Sequence, residues 1–311
     1  MPLSITQKLT NSKTYKLTNL QNTLNSSQLD ILDLLVLNLG YVESHRRWTV
    51  NGLESPFARI YYVEKGHGKL MLRDKTIEVT PGHLYLVPSF VKHDYVCEPG
   101  SGLYYLFVFE ELKHQTDLFD MYDFPVEVPV EDDALFLFRY FCRAFPQLAI
   151  QQAHSDPEGY DNHEAFSMFS SRYRGMHLYQ RAQLRGMVYI VFSKFMVDAK
   201  PKMWTEDPRL QKVLKYILEH LEEEINVEKL ADIACLTKPY LIRQFKQTLG
   251  MAPLQFITQK KIEKAQLLLV TDDRTVQDIA QAVGYSDSSY FVRLFKKKVG
   301  MTPQEYRNKM E

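Results

Sequence analysis

Apolar residues recur with a helical period through the last third of the chain, and they do so twice. In the first pass Val227, Leu230, Ile233 and Ala234 share one face of a short segment, and Leu241, Phe245 and Leu249 recur every four residues in the next. In the second pass Val276, Ile279 and Val283 are followed by Phe291, Phe295 and Val299. Spacing of this kind predicts amphipathic helices, each with one buried stripe. The punctuation agrees. Asn226, Thr237 and Thr275 stand where helices begin, and Thr275 with Asp278 and Thr302 with Glu305 have capping-box spacing. Gly250 and Gly300 stand where helices end, followed by Pro253 and Pro303, which suit the first position of another helix. Leu254 to Val270 contains no Gly or Pro and predicts a continuous helix about 25 Å long at about 1.5 Å per residue.

The front of the chain has another rhythm. Short runs rich in β-branched and aromatic residues (57–63, 69–72, 84–87, 103–109) are separated by Gly66-His67-Gly68 and Pro81-Gly82. Short strands at such spacing predict a sandwich or small barrel. From 131 to 198 the pattern turns helical. Leu135 to Phe145 is strongly apolar, and Leu178 to Val197 carries Leu184, Met187, Val188, Val191, Phe192 and Phe195 on one side. Gln151 to His163 is polar, with Pro157 and Gly159, and predicts a loop. These helices are suited either to dimerisation or to capping the strands. The expected chain is therefore an α+β multidomain protein: a β-rich domain at 1–130 with flanking helices at 131–200, a two-proline linker at 201–208, and an all-α domain at 209–311.

The two helical passes share words as well as rhythm. Ala231-Asp232-Ile233-Ala234 precedes Tyr240, Arg243, Phe245, Lys246 and Gly250; Gln277-Asp278-Ile279-Ala280 precedes Tyr290, Arg293, Phe295, Lys296 and Gly300. From the tyrosine onward the offset is constant, 240 to 290. Aligning the Asp-Ile-Ala words makes the second turn, Gly284-Tyr285-Ser286, four residues longer than the first, Cys235-Leu236. Helix, tight turn and helix is the helix-turn-helix unit, and two in tandem suit two neighbouring turns of DNA. Opposite each second-helix stripe lie Pro239, Ile242, Arg243 and Lys246, and then Ser289, Val292, Arg293 and Lys296, with Lys238, Ser288 and Lys297 beside them. An arginine forks onto guanine, a lysine one turn later reaches phosphate, and an apolar side chain meets a thymine methyl. For one helix, an ordinary charged surface would be the better reading; two in register favour base reading.

Charge changes the picture only locally. The chain has 38 Lys+Arg against 38 Asp+Glu. Residues 205–236 hold four basic and eight acidic side chains, whereas 237–310 hold thirteen basic and six acidic, so the positive excess sits on the reading segment. The three cysteines, Cys97, Cys142 and Cys235, have no metal-ligand spacing and read as reduced. The first residues do not resemble a signal peptide, and Ile31 to Leu39 is broken by Asp33 and Asn38 and too short to span a membrane. A cytoplasmic protein without membrane contact is expected.

The C-terminal third resembles the AraC/XylS family of bacterial transcription regulators. The resemblance is carried by 230–234, by Tyr240-Leu241-Ile242-Arg243-Gln244-Phe245-Lys246, by 276–280, by 283–296 and by Gly300-Met301-Thr302-Pro303. It implies base contacts from Arg243, Ser289 and Arg293. At 242, where the family often has a polar residue, this chain has Ile, and at 239 it has Pro. Pro81 to Pro88 followed by His93 is similar to the cupin-type effector domain found ahead of such readers. Matching the arabinose-type effector domain implies ligand contacts at Lys65, Tyr95, Tyr105 and Phe107, with His45, Arg59, Tyr61 and His93 as adjacent polar candidates. The resemblance further implies a small polar effector such as a sugar, a homodimer, and an activator that meets RNA polymerase on double-stranded DNA. The competing class is a metal-dependent cupin enzyme fused to a DNA-binding module. His45, His67, His83 and His93 form no His-x-His pair, and no histidine lies at 103–109, so neither catalysis, metal nor cofactor is expected.

Overall fold

The computed structural model describes residues 34–110, 118–149, 175–271 and 274–310. The expectations for the chain start and for the 151–163 loop lie outside these residues. Eleven strands, in two larger sheets and one small pair, ten α-helices and one short 3-10 helix (Pro146–Leu148) are described. The first sheet has the order β1 (Leu34–Glu43), β8 (Gly102–Glu110), β3 (Ala58–Lys65), β6 (His83–Val87), β10 (Glu127–Pro129). The second has the order β2 (Trp48–Leu53), β7 (His93–Cys97), β4 (Gly68–Leu72), β5 (Lys75–Val79). All pairings within them are antiparallel.

Alternation along β8 explains why Leu103 to Phe109 reads as one apolar run. Tyr104, Leu106 and Val108 belong to one buried cluster, and Tyr105, Phe107 and Phe109 to another. Both faces of the strand are buried, so no polar alternation survives. The first face carries α2 (Asp132–Ala144) and α3 (Leu178–Met196), through Phe138, Phe141 and all six α3 residues expected on its apolar side. In this chain those helices cap the sheet. Exposed Phe136, Tyr140, Tyr179 and Ile190 lie on their outer surface. Short α1 (Leu118–Met121) leads into β9 (Tyr122–Asp123), which pairs with β11 (Lys200–Pro201) and so ties the linker to the front domain.

The C-terminal helices are α4 (Pro208–Glu219), α5 (Val227–Ala234), α6 (Lys238–Leu249), α7 (Pro253–Thr271), α8 (Val276–Ala282), α9 (Ser288–Val299) and α10 (Pro303–Met310). Asn226 caps α5, accepting from the Lys229 amide at 2.8 Å. Thr275–Asp278 and Thr302–Glu305 close their reciprocal caps. Leu241, Phe245, Phe291 and Phe295 are fully buried, as their period requires. α7 extends the expected helix by one residue at each end and is about 28 Å long.

The alignment of the two units needs correcting. Leu236 N–H donates to Ala231 O, and Tyr285 N–H donates to Ala280 O. Cys235 and Gly284 are the left-handed residues before them, at φ 52° and 74°. Buried Leu230, Ala231 and Ala234 thus match Ile279, Ala280 and Val283. The Asp-Ile-Ala words are a helical turn out of phase, and the second turn is one residue longer, not four. A periodic helix tolerates such a slip in sequence; the turn hydrogen bond does not.

Candidate DNA-reading face and effector cavity

Each recognition helix is anchored on its stripe and turns its polar face outward. Pro239, Arg243 and Lys246 on α6, and Ser289, Arg293, Lys296 and Lys297 on α9, are exposed. Ser288 is half-buried at the helix start. Ile242 and Val292 are also half-buried and pack against the cores of their own units, so they flank the reading face. Lys238 reaches back to Glu228 in an ion pair, and the Arg243 guanidinium lies 5.0 Å from the centre of the Tyr240 ring. Tyr290, half-exposed beside Ser289, is a surface aromatic that the stripe-and-face reading left out. Asp287 caps α9 by accepting from the Ser289 and Tyr290 amides at 2.8 and 3.0 Å.

The strut α7 holds the two units in place from within. Lys261 is buried and donates to Glu223 O at 2.8 Å and Gly284 O at 3.1 Å, one carbonyl from each unit. Burial pushes its ammonium down to about 8. The neighbouring Lys260 faces the front domain. It pairs with Asp120 of α1 at 2.6 Å and with Glu263 at 2.8 Å, and all three side chains are at least 86% buried. Burial alone would lower the Lys260 pKa, but the two carboxylates outweigh it and raise it. Trp204 of the linker donates to Asp120 O at 3.3 Å and packs edge-on against Phe256 of the strut. The buried cluster of the second unit also runs continuously into Leu37, Phe57, Tyr105, Phe107 and Phe109 of the front domain.

Between the two sheets lies a cavity of about 60 Å³. Tyr61, Tyr95, Tyr105 and Phe107 line it, together with Trp48, Val63, Leu70 and Leu103. Its walls are overwhelmingly apolar. Gly40 makes room for the Tyr105 hydroxyl, which occupies the place where a β-carbon would stand. The remaining candidates do not line it. His45 is exposed, and Lys65 is half-exposed in an ion pair with Glu43 at 2.7 Å. Arg59 and His93 do not line the cavity but are buried against its walls: the His93 ring stacks on Tyr95 at 6.4 Å, and Arg59 covers Phe107 at 4.7 Å. Sequence reasoning missed Asn38, Asp120 and Lys260. Each is a single polar residue in an ordinary context, and only the fold gives it neighbours.

Among the described residues no group of three or more His, Cys, Asp or Glu side chains is placed to hold a metal ion. No described helix is long and apolar enough to cross a membrane.

Comparison with known proteins bears on both halves. Residues 44–108 match the AraC-like ligand binding domain, and residues 230–309 match a helix-turn-helix domain. Over 95 residues the chain is 40% identical to the MmsAB operon regulatory protein of Pseudomonas aeruginosa, covering 30% of this chain and 31% of that one. Over 101 residues it is 35% identical to the HTH-type transcriptional activator RhaS of an Enterobacter strain, covering 32% and 36%. The matched part thus spans about a third of the length of these curated relatives. A solved DNA-binding domain of AdpA, in complex with a target DNA, is 33% identical over 33% of this chain and 92% of that one, with a TM-score of 0.32. A two-sheet ligand domain joined to paired helix-turn-helix units defines a two-domain DNA-binding architecture. In carrying both matches, in that order, the chain resembles the AraC/XylS-type regulators.

Proposed function

We propose that this protein is an effector-responsive, sequence-specific regulator of transcription that acts on duplex DNA in the cytoplasm. The observation that carries the reading is the pair of recognition helices, each presenting an exposed arginine and lysine, joined by one rigid strut. A strut about 28 Å long suits successive major-groove faces about 34 Å apart, with modest bending of the DNA. The named activator among its relatives supports activation, which implies contact with RNA polymerase. The exposed aromatics on α2 and α3 support a homodimer through those helices. The family resemblance supports a sugar as one effector class.

Regulation needs a path between the halves, and the Asp120–Lys260–Glu263 triad supplies one: the front domain grips the strut that spaces the readers. An effector shifts DNA affinity only by its differential affinity for gripped and released arrangements. Selection from random duplexes with the full chain is expected to return a discrete motif. Asp120→Asn is expected to change affinity for that motif about 5- to 150-fold, the usual range of coupling. Recovery of no motif would refute the reader, and an unchanged affinity in the variant would refute the grip.

A further inference from the structure

The cavity-side face of the first sheet is arranged in rows across β1, β8 and β3. One row is Gly40, Tyr105, Tyr61; the next is Asn38, Phe107, Arg59. Directly opposed residues of antiparallel strands share a face. Asn38 and Arg59 therefore stand on either side of Phe107, the last ring of the cavity at that end. The Arg59 guanidinium carbon lies 4.7 Å from the Phe107 centre and 5.1 Å from that of Phe57, and its Nη2 donates to Ser55 Oγ at 2.7 Å.

Asn38 is the anomaly. It is 0% exposed, follows an irregularity in the β1–β8 register, and neither its Nδ2 nor its Oδ1 has a hydrogen-bond partner among the described residues. Leaving a buried polar group unsatisfied costs its full desolvation penalty, and such groups are uncommon in native proteins. Leucine would fill similar space at no such cost. A buried amide with donor and acceptor both unused is complementary to a ligand that brings an acceptor and a donor together.

We propose that Asn38 and Arg59 form the polar head-group subsite of the effector cavity, and that the effector is a small carboxylate with a neighbouring hydroxyl and an apolar body. The carboxylate accepts from Asn38 Nδ2 and from the guanidinium, and the hydroxyl donates to Asn38 Oδ1. The body fills the aromatic cavity, whose walls offer little to the many hydroxyls of a sugar. A single ring or short aliphatic body suits the volume. This rests on the reading of the front domain as an effector sensor and names its ligand class.

The test uses the full chain with mandelate, phenylacetate, 2-phenylethanol and arabinose as probes, read by calorimetric affinity and thermal shift. Affinity is expected to fall in that order for the three phenyl compounds, at least about tenfold from first to last, with arabinose silent. Asn38→Leu is expected to abolish the preference for mandelate while leaving the unliganded protein as stable as wild type or more so, because an orphaned amide has been removed. Arg59→Met is expected to erase the preference for phenylacetate over 2-phenylethanol. Four results would overturn the proposal: no binding of mandelate, equal binding of all three phenyl compounds, tight binding of arabinose, or Asn38→Leu that unfolds the protein. The sensor reading is tested separately, by DNA affinity with and without mandelate. Mandelate that binds without changing DNA affinity refutes the sensor and leaves the subsite standing; arabinose that binds and changes it does the reverse.

Discussion

The two helix-turn-helix units are built from nearly the same words, yet they are held differently. The first packs in a self-contained core with α4, through Leu210, Val213, Leu214 and Ile217. The second shares one buried cluster with the front domain. The first makes its turn with Cys235 forced into the left-handed region; the second uses Gly284 at the matching place. The first recognition helix starts at Thr237, which makes no side-chain cap bond, whereas the second starts at Asp287, which makes two. The second unit is thus the better-fixed reader and the one packed against the effector domain. A tandem repeat of sequence need not mean two equivalent reading heads.

The sharpest way to break this comparison is at the turns. A β-carbon on Gly284 would meet the Lys261 ammonium and come within 2.7 Å of Glu222 O, at a φ that side chains resist. Gly284→Val is expected to destabilise the chain by about 2–5 kcal/mol, combining left-handed strain with overpacking. Cys235→Gly relieves strain in the first turn and is expected to lie within about 1 kcal/mol of wild type, on the stable side. Urea denaturation of both variants decides it; equal costs would remove the distinction. A smaller contrast lies in the caps. Asp287→Ala is expected to cost about 1 kcal/mol and Thr237→Ala only a few tenths. Equal losses in the same experiment would show that the first cap is formed in solution.

The subtlest effect is on pH. Lys261 joins the two units, and burial holds its pKa at about 8, below the ordinary lysine value of 10.5. Between those values the unfolded chain binds more protons than the folded one, so this group makes stability rise with pH from about 8 upward. Below pH 8 the full penalty of a buried ammonium is present. Lys261→Met is expected to flatten the wild-type rise between pH 8 and 9.5. An identical pH profile in the variant would mean that the two carbonyl acceptors hold the ammonium at its ordinary value.

The helical units were legible because period, caps and repetition reinforce one another: Leu241 and Phe245 announce their helix independently of anything distant. The turn phase was not, since a short match such as Asp-Ile-Ala says nothing of which carbonyl accepts the turn hydrogen bond. In the front half the strands were legible from Gly and Pro punctuation, and Tyr61, Tyr95, Tyr105 and Phe107 do meet around one cavity. Lys65 does not, because its place at the end of β3 lets it turn to Glu43 at the surface. Asn38 and Asp120 carry no local signal at all. Their partners, or the lack of them, come from strand register and from a helix some 140 positions away, which a linear pattern does not contain.

The central claim is that both recognition helices read bases, each on its own stretch of DNA. The direct measurement is base-resolved affinity of the full chain, wild type against Arg243→Ala and Arg293→Ala, across every single substitution of the selected motif. The account predicts two blocks of preference about one helical turn apart. Arg293→Ala should cost about 1–3 kcal/mol and flatten one position in one block, and Arg243→Ala should flatten one in the other. A single block untouched by Arg243→Ala, or uniform weakening on every sequence by both variants, would contradict it.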